Sequence, residues 1–303
     1  MKIMLAAPLD QCIQRDQYRS KWVGTRIHSI ASLVLVAVVL TITVLIQIIA
    51  FKIDSPFYMV EVFAFFLMGV TAHSFGVLGH ETYHHSFFVT KKANDFAGKW
   101  IFHYPLLGRF QILREAHLQH HRLFGSETDP DRDHWGWDRG DRQHLRRIIE
   151  ILFGVVFLKN LFNIFNPQSK GVAFEGNSKE KRFDEFGIVL TQTVLFFTFT
   201  MFLSWQRYFL LYLMPIVTVG ALIEHLRVFC EHNEGVLRVY SRPSRVGLII
   251  FGRANFRMHA IHHQTPSTPW FALGNKYESV NSRTSSHISI STNYYSELKK
   301  IFK

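Results

Sequence analysis

Histidine clustering is the first feature of this sequence that can do chemistry. Seventeen histidines occur in 303 residues, and most lie in short groups at helical spacing. The run GHETYHH puts His80 and His84 four residues apart, on one face of a helix. HLQHH places His117, His120 and His121 on one face, and HAIHH repeats that spacing with His259, His262 and His263. Neutral imidazole is a ligand for iron, zinc, copper and nickel, so the pattern points to metal without naming it. Eight such rings exceed the three or four that one tetrahedral zinc takes, which favours two metal ions with positions left open for a small molecule. Cys12 and Cys230 are too few for a cysteine-held cluster or a disulfide framework.

Carboxylates beside the histidines have a role in any metal site. Glu81, Glu115 and Glu231, and also Asp129 and Asp131, are placed to accept the second ring N–H and so fix tautomer and orientation. Asn255 is either a weak or water-mediated ligand or a plain loop amide. Two other classes compete. His80 to His84 reads H-E-x-x-H, the zinc metalloprotease pattern with Glu81 as general base, but that leaves both H-x-x-H-H clusters unexplained. A metal transporter would carry its ligands along the middle of membrane spans rather than at one surface.

The elements that must position these rings are apolar blocks. The chain is 48% hydrophobic, and the stretch 28–51 has no charged residue and exceeds the roughly 20 residues a helix needs to cross a bilayer. Its length and the polar leader before it argue against a cleaved signal peptide. Further blocks at 57–79, 186–205 and 208–229 give four expected spans, with short turns at Lys52 to Pro56 and at Gln206 and Arg207. The fold class expected is all-α integral membrane: two helical hairpins in a single domain over 1–303, capped by 80–185 and 230–303. Lys2, Arg15, Arg19, Lys21 and Arg26 precede the first span, so the positive-inside rule puts both termini and the histidines on the cytoplasmic side. Two interrupted apolar stretches, Trp100 to Leu113 and Ile148 to Phe165, read as interfacial or re-entrant helices rather than spans. The Ser/Thr-rich tail from Ser279 reads as poorly ordered.

HETYHH, HLQHH and HAIHH resemble the three histidine boxes of the membrane fatty acid desaturase and hydroxylase superfamily. The continuation HLQHHRLFGSETDPD and the run NFRMHAIHHQTPSTPWFAL, Asn255 to Leu273, are similar too, and the resemblance covers roughly His73 to Leu273. It implies a four-span bundle under a cytoplasmic cap that holds two iron ions and uses dioxygen to oxidise C–H bonds of a lipid or acyl chain. Members commonly use one histidine outside the boxes. RVFCEH, Arg227 to His232, resembles a signature of the bacterial desaturase branch, which makes His232 the expected ninth ligand. His225, seven residues earlier, is its rival, and otherwise a polar residue in the substrate channel. His85 follows the first box where relatives often have a small residue, and reads as outside the ligand set. The signature and the third-box run favour desaturation, with hydroxylation, ketolation or acetylenic bond formation as alternatives on the same scaffold.

Removing two hydrogens from a substrate supplies half of the electrons that reduction of dioxygen to water consumes. No haem extension, cysteine cluster motif or dinucleotide loop is present to supply the rest. A separate donor protein is therefore expected, a ferredoxin, a rubredoxin or a cytochrome b5-like protein, with acyl carrier protein and CoA as the candidate carriers of the substrate. The net charge of +11 fits a basic cytoplasmic face against lipid headgroups, with no motif for nucleic acid.

Overall fold

The computed structural model describes residues 27–52, 58–132, 141–159, 178–251, 253–276 and 288–302. Helix α1 (Ile27–Lys52) and helix α2 (Tyr58–Tyr83) are both long and apolar enough to cross a membrane. In lipid only a helix satisfies its own backbone, so an uncharged run of this length has one stable form. Hydroxyls inside the spans bond back one turn, as Thr43 does to the Val39 carbonyl at 2.8 Å and Ser74 to Val70 at 2.8 Å.

The second pair of spans is displaced from the sequence expectation at both turns. The third helix, here α6 (Ser178–Phe202), starts two turns earlier than residue 186 and ends before Trp205. Ser204 then caps α7 (Trp205–Tyr208), its hydroxyl accepting from the Arg207 N–H at 3.4 Å, so the turn lies at 203–204 rather than at Gln206 and Arg207. Two π-helical segments, Phe209–Leu213 and Ile216–Gly220, lead into α8 (Ala221–His232), and the whole run Trp205–His232 forms the fourth span. Spans two and four touch through glycine: a Cβ on Gly69 would stand 2.5 Å from Val219. Small residues permit that approach where no hydrophobic force drives helices together. At the far end Arg207 pairs with Glu61 at 2.6 Å.

Between spans two and three the chain folds into the bundle rather than across it. Helix α3 (Lys91–Ala97) passes into a π-turn, Gly98–His103, and breaks at Leu107, whose φ is 62°. Neighbouring spans satisfy the freed backbone: Gln192 donates to the carbonyls of Tyr104 and Pro105 at 2.8 and 3.0 Å, and Tyr212 donates to Pro105 at 2.5 Å. Irregular backbone at this depth is tolerated only when buried in protein. Trp100 to Leu113 therefore forms no continuous span, and Phe102, His103 and Tyr104 are buried in the protein. Helix α4 (Phe110–Leu123) follows. Helix α5 (Asp141–Leu152) exposes Leu145, Ile149 and Leu152 on one face, with Phe153 79% exposed just beyond it, as an interfacial helix does. The remainder of that apolar stretch, 160–165, lies outside the described residues.

After α8 come strand β1 (Leu237–Tyr240), α9 (Arg245–Ile250) and α10 (His259–Gln264). The tail corrects an expectation. Part of it, 279–287, lies outside the described residues, but β2 (Ile288–Ser291) pairs in parallel with β1 and α11 (Tyr294–Leu298) folds onto the fourth span. Ser and Thr counts suggested disorder, whereas buried Tyr294 and Ile301 supply the apolar area that orders the segment.

Candidate metal centre

Four elements bring their ends together. His80 lies in the last turn of α2 and His84 one residue past its end. His117, His120 and His121 lie on α4, His259, His262 and His263 on the short α10, and α8 terminates at His232. All nine rings meet, in two adjoining sets.

In the first set one nitrogen from each of His80, His84, His117, His121 and His262 lies within 4.8 Å of every other. His117 Nε2 is 2.8 Å from His84 Nε2 and 3.0 Å from His121 Nε2. In the second, His120, His232 and His263 meet the same limit, and His259 joins with its Nε2 2.9 Å from His232 and 3.0 Å from His263. The sets abut where the ring of His121 stacks on His263, with centroids 4.1 Å apart.

Hydrogen bonding among the rings does not account for the approach of His120 to His232. His232 Nδ1 donates to the Val228 carbonyl at 3.1 Å, and His120 Nδ1 donates to Asp129 at 2.9 and 3.0 Å. With Nδ1 of each ring donating, the Nε2 atoms of His120 and His232, 3.3 Å apart, face each other as lone pairs and cannot hydrogen-bond to one another. Two lone pairs at that separation repel unless a cation lies between them. Nitrogens about 2.0–2.1 Å from a shared ion stand about 2.9 Å apart at a right angle and about 3.4 Å apart at the tetrahedral angle. The observed spacings, 2.8 to 3.4 Å, cover that interval. Burial, and then neighbouring imidazoles, hold His117, His121, His259 and His263 well below the ordinary imidazole value. Burial, then Arg227, brings His262 down to about 3. These rings are neutral at pH 7, which is the ligating form. The residues present thus fit two metal ions.

The flanking groups divide sharply. Asp129 grips His120, as expected, and Asp131 stands 3.9 Å from the same nitrogen. Glu231 faces His259 Nδ1 at 3.5 Å. Glu81 lies 4.0 Å from His80 Nδ1, beyond a hydrogen bond; its carboxylate accepts from the Ser86 hydroxyl at 2.8 Å and the Trp270 N–H at 3.2 Å. It therefore ties the chain after the third cluster to the end of α2. Glu115 accepts from Gln119 at 3.1 Å, along its own helix. Asn255 donates to the Trp270 carbonyl and accepts from Arg257, both at 3.2 Å, and joins neither histidine set. His85 binds Asp95 at 2.9 Å, and the His225 ring faces His144 with centroids 6.0 Å apart; neither joins a histidine set.

Three contributors escaped the sequence reading as supports of the site. Arg227 is buried, ion-pairs with Glu224 and with Glu231, and lies over the Phe256 ring at 4.7 Å. Phe256 in turn stacks on His259 and edges His80. The Arg-to-Glu spacing of four residues was the available signal. His103, pushed down to about 4 by burial, accepts from the Tyr83 hydroxyl at 2.5 Å and donates to the Gly98 carbonyl at 2.7 Å, bracing the end of α2.

A family model described as fatty acid desaturase matches residues 56–284, a range that holds spans two to four and all nine rings. A comparison with curated proteins finds no match.

Proposed function

We propose, because the chain belongs to the fatty acid desaturase family, that it uses dioxygen and two bound irons to introduce a carbon–carbon double bond into a lipid acyl chain. It is an integral membrane protein and an oxidoreductase of the family that oxidises fatty acyl chains. The observation that carries the finer reading is the pair of histidine sets whose ring nitrogens converge from separate elements.

In this reading His80, His84, His117, His121 and His262 hold one iron, and His120, His232, His259 and His263 hold the other. Iron bound there supplies the activation of dioxygen and the removal of hydrogen from an unactivated methylene. The chain's own part is to hold nine rings aimed at the two sites. Asp129 fixes the tautomer of His120, and Glu231, neutralised by Arg227, fronts His259. Burial of the cluster keeps bulk water from the reacting carbon. Substrate hydrogens, dioxygen, two electrons and two protons then balance to an alkene and two waters. The electrons come from a ferredoxin, rubredoxin or cytochrome b5-like donor, at the cytoplasmic face where the basic flanks of the first span place the site. Against the protease alternative, the Glu81 carboxylate accepts from the Ser86 hydroxyl and the Trp270 backbone N–H, and the HETYH motif alone leaves the other two clusters unexplained.

Purified chain reconstituted with a reductase, a donor and acyl lipids tests the reading. Oxygen-dependent appearance of a product two mass units lighter than the substrate supports desaturation; a product heavier by one oxygen moves the chain to the hydroxylases; no oxygen dependence overturns the proposal.

A further inference from the structure

The family match stops at residue 284, yet the ordered tail beyond it is built against the elements that carry three rings of the four-histidine set. β2 pairs with β1 in the register Leu237 to Ile288 through Tyr240 to Ser291. Leu237 and Val239 of β1 pack with Met258, Ala260 and Ile261, at and within the helix that bears His259 and His263. On the other flank the Tyr294 ring stacks on Tyr240 with centroids 4.0 Å apart, and the Tyr240 hydroxyl donates to the Cys230 carbonyl at 2.6 Å, two residues before His232. Between these contacts lies a buried ion pair: Arg238, 3% exposed, reaches Glu297 at 3.1 Å and donates to the Asn233 carbonyl at 2.6 Å, one residue past His232. Ser291 holds the second oxygen of Glu297 at 2.9 Å.

We infer that residues 288–302 are a positioning element for the four-histidine set, clamping the end of α8 and the start of α10 so that His232, His259 and His263 keep their mutual spacing. The inference rests on the two-metal reading above. Without the tail, the buried Arg238 loses its pair with Glu297, and β1 loses its only strand partner among the described residues. Removing one member of a buried pair is strongly destabilising locally. The five-histidine set draws four of its rings from the end of α2 and from α4, to which none of the ion-pair, ring and strand contacts above runs, so its ion should remain.

The test compares the full chain with a chain ending at residue 287 and with a full-length Tyr294→Ala/Glu297→Ala variant, each purified in detergent and assayed for iron by elemental analysis. Iron falls from about two ions per chain to about one in both. On either background, adding His84→Ala and His117→Ala removes the remainder, whereas adding His263→Ala changes nothing further. A synthetic peptide of residues 288–303 restores the second ion to the shortened chain. Two ions retained in both variants, or both ions lost together in the full-length variant, overturn the inference while leaving the two-metal reading standing. A full chain that holds no iron overturns both.

Discussion

The two histidine sets adjoin, but they are supported differently. In the four-ring set two second nitrogens hydrogen-bond to protein, His120 to Asp129 and His232 to the Val228 carbonyl, while His259 Nδ1 makes no hydrogen bond among the described residues and faces the Glu231 carboxylate at 3.5 Å. In the five-ring set both ring nitrogens of His80 and the Nδ1 of His121 are buried without a hydrogen-bond partner among the described residues. One set relies on anionic partners that fix and enrich its rings, the other on a fifth ring. Damage at a distance should therefore fall on the four-ring set, and loss of a single ligand should be better tolerated by the five-ring set.

The largest expected effect is His120→Ala, which abolishes turnover and removes about one ion per chain, because three rings remain. His84→Ala also stops turnover but keeps most of its metal, because four rings remain; equal metal loss in the two variants would break the comparison. Next is Arg227→Met, which leaves Glu231 as a buried charge and costs roughly 3–5 kcal/mol, read as a lowered melting temperature in detergent. A smaller effect is expected of Asp129→Ala, a loss of about 10–100-fold in metal affinity confined to one ion, measured by chelator competition. A biphasic curve with one unchanged limb sharpens the comparison. Smallest is Glu61→Gln at the opposite end of the bundle, which costs under about 1 kcal/mol and leaves metal content unchanged.

Much of this arrangement was legible in the sequence because it is periodic. The i, i+3, i+4 spacings fixed which rings share a face, and an uncharged run of bilayer length admits only a helix. What periodicity does not encode is partition. Nothing in HLQHH tells that His120 joins His232 while His117 and His121 join His84; that depends on how α4 meets α2 and α8. The second layer was half legible. Asp129 follows its ligand closely in the chain, whereas Glu81, adjacent to His80, turns away to Ser86 and Trp270, a contact 189 residues distant. The tail failed for another reason. Its composition is polar, and its order comes from Tyr294, Glu297 and Ile301 docking on residues more than fifty positions earlier, which no local pattern reports.

The most direct test of the central claim is the metal content of the purified, detergent-solubilised chain. The account predicts close to two irons per chain, with about one lost in His120→Ala. About one zinc and no iron, in protein expressed with iron in excess, would contradict it and leave HETYH as the only cluster that binds metal.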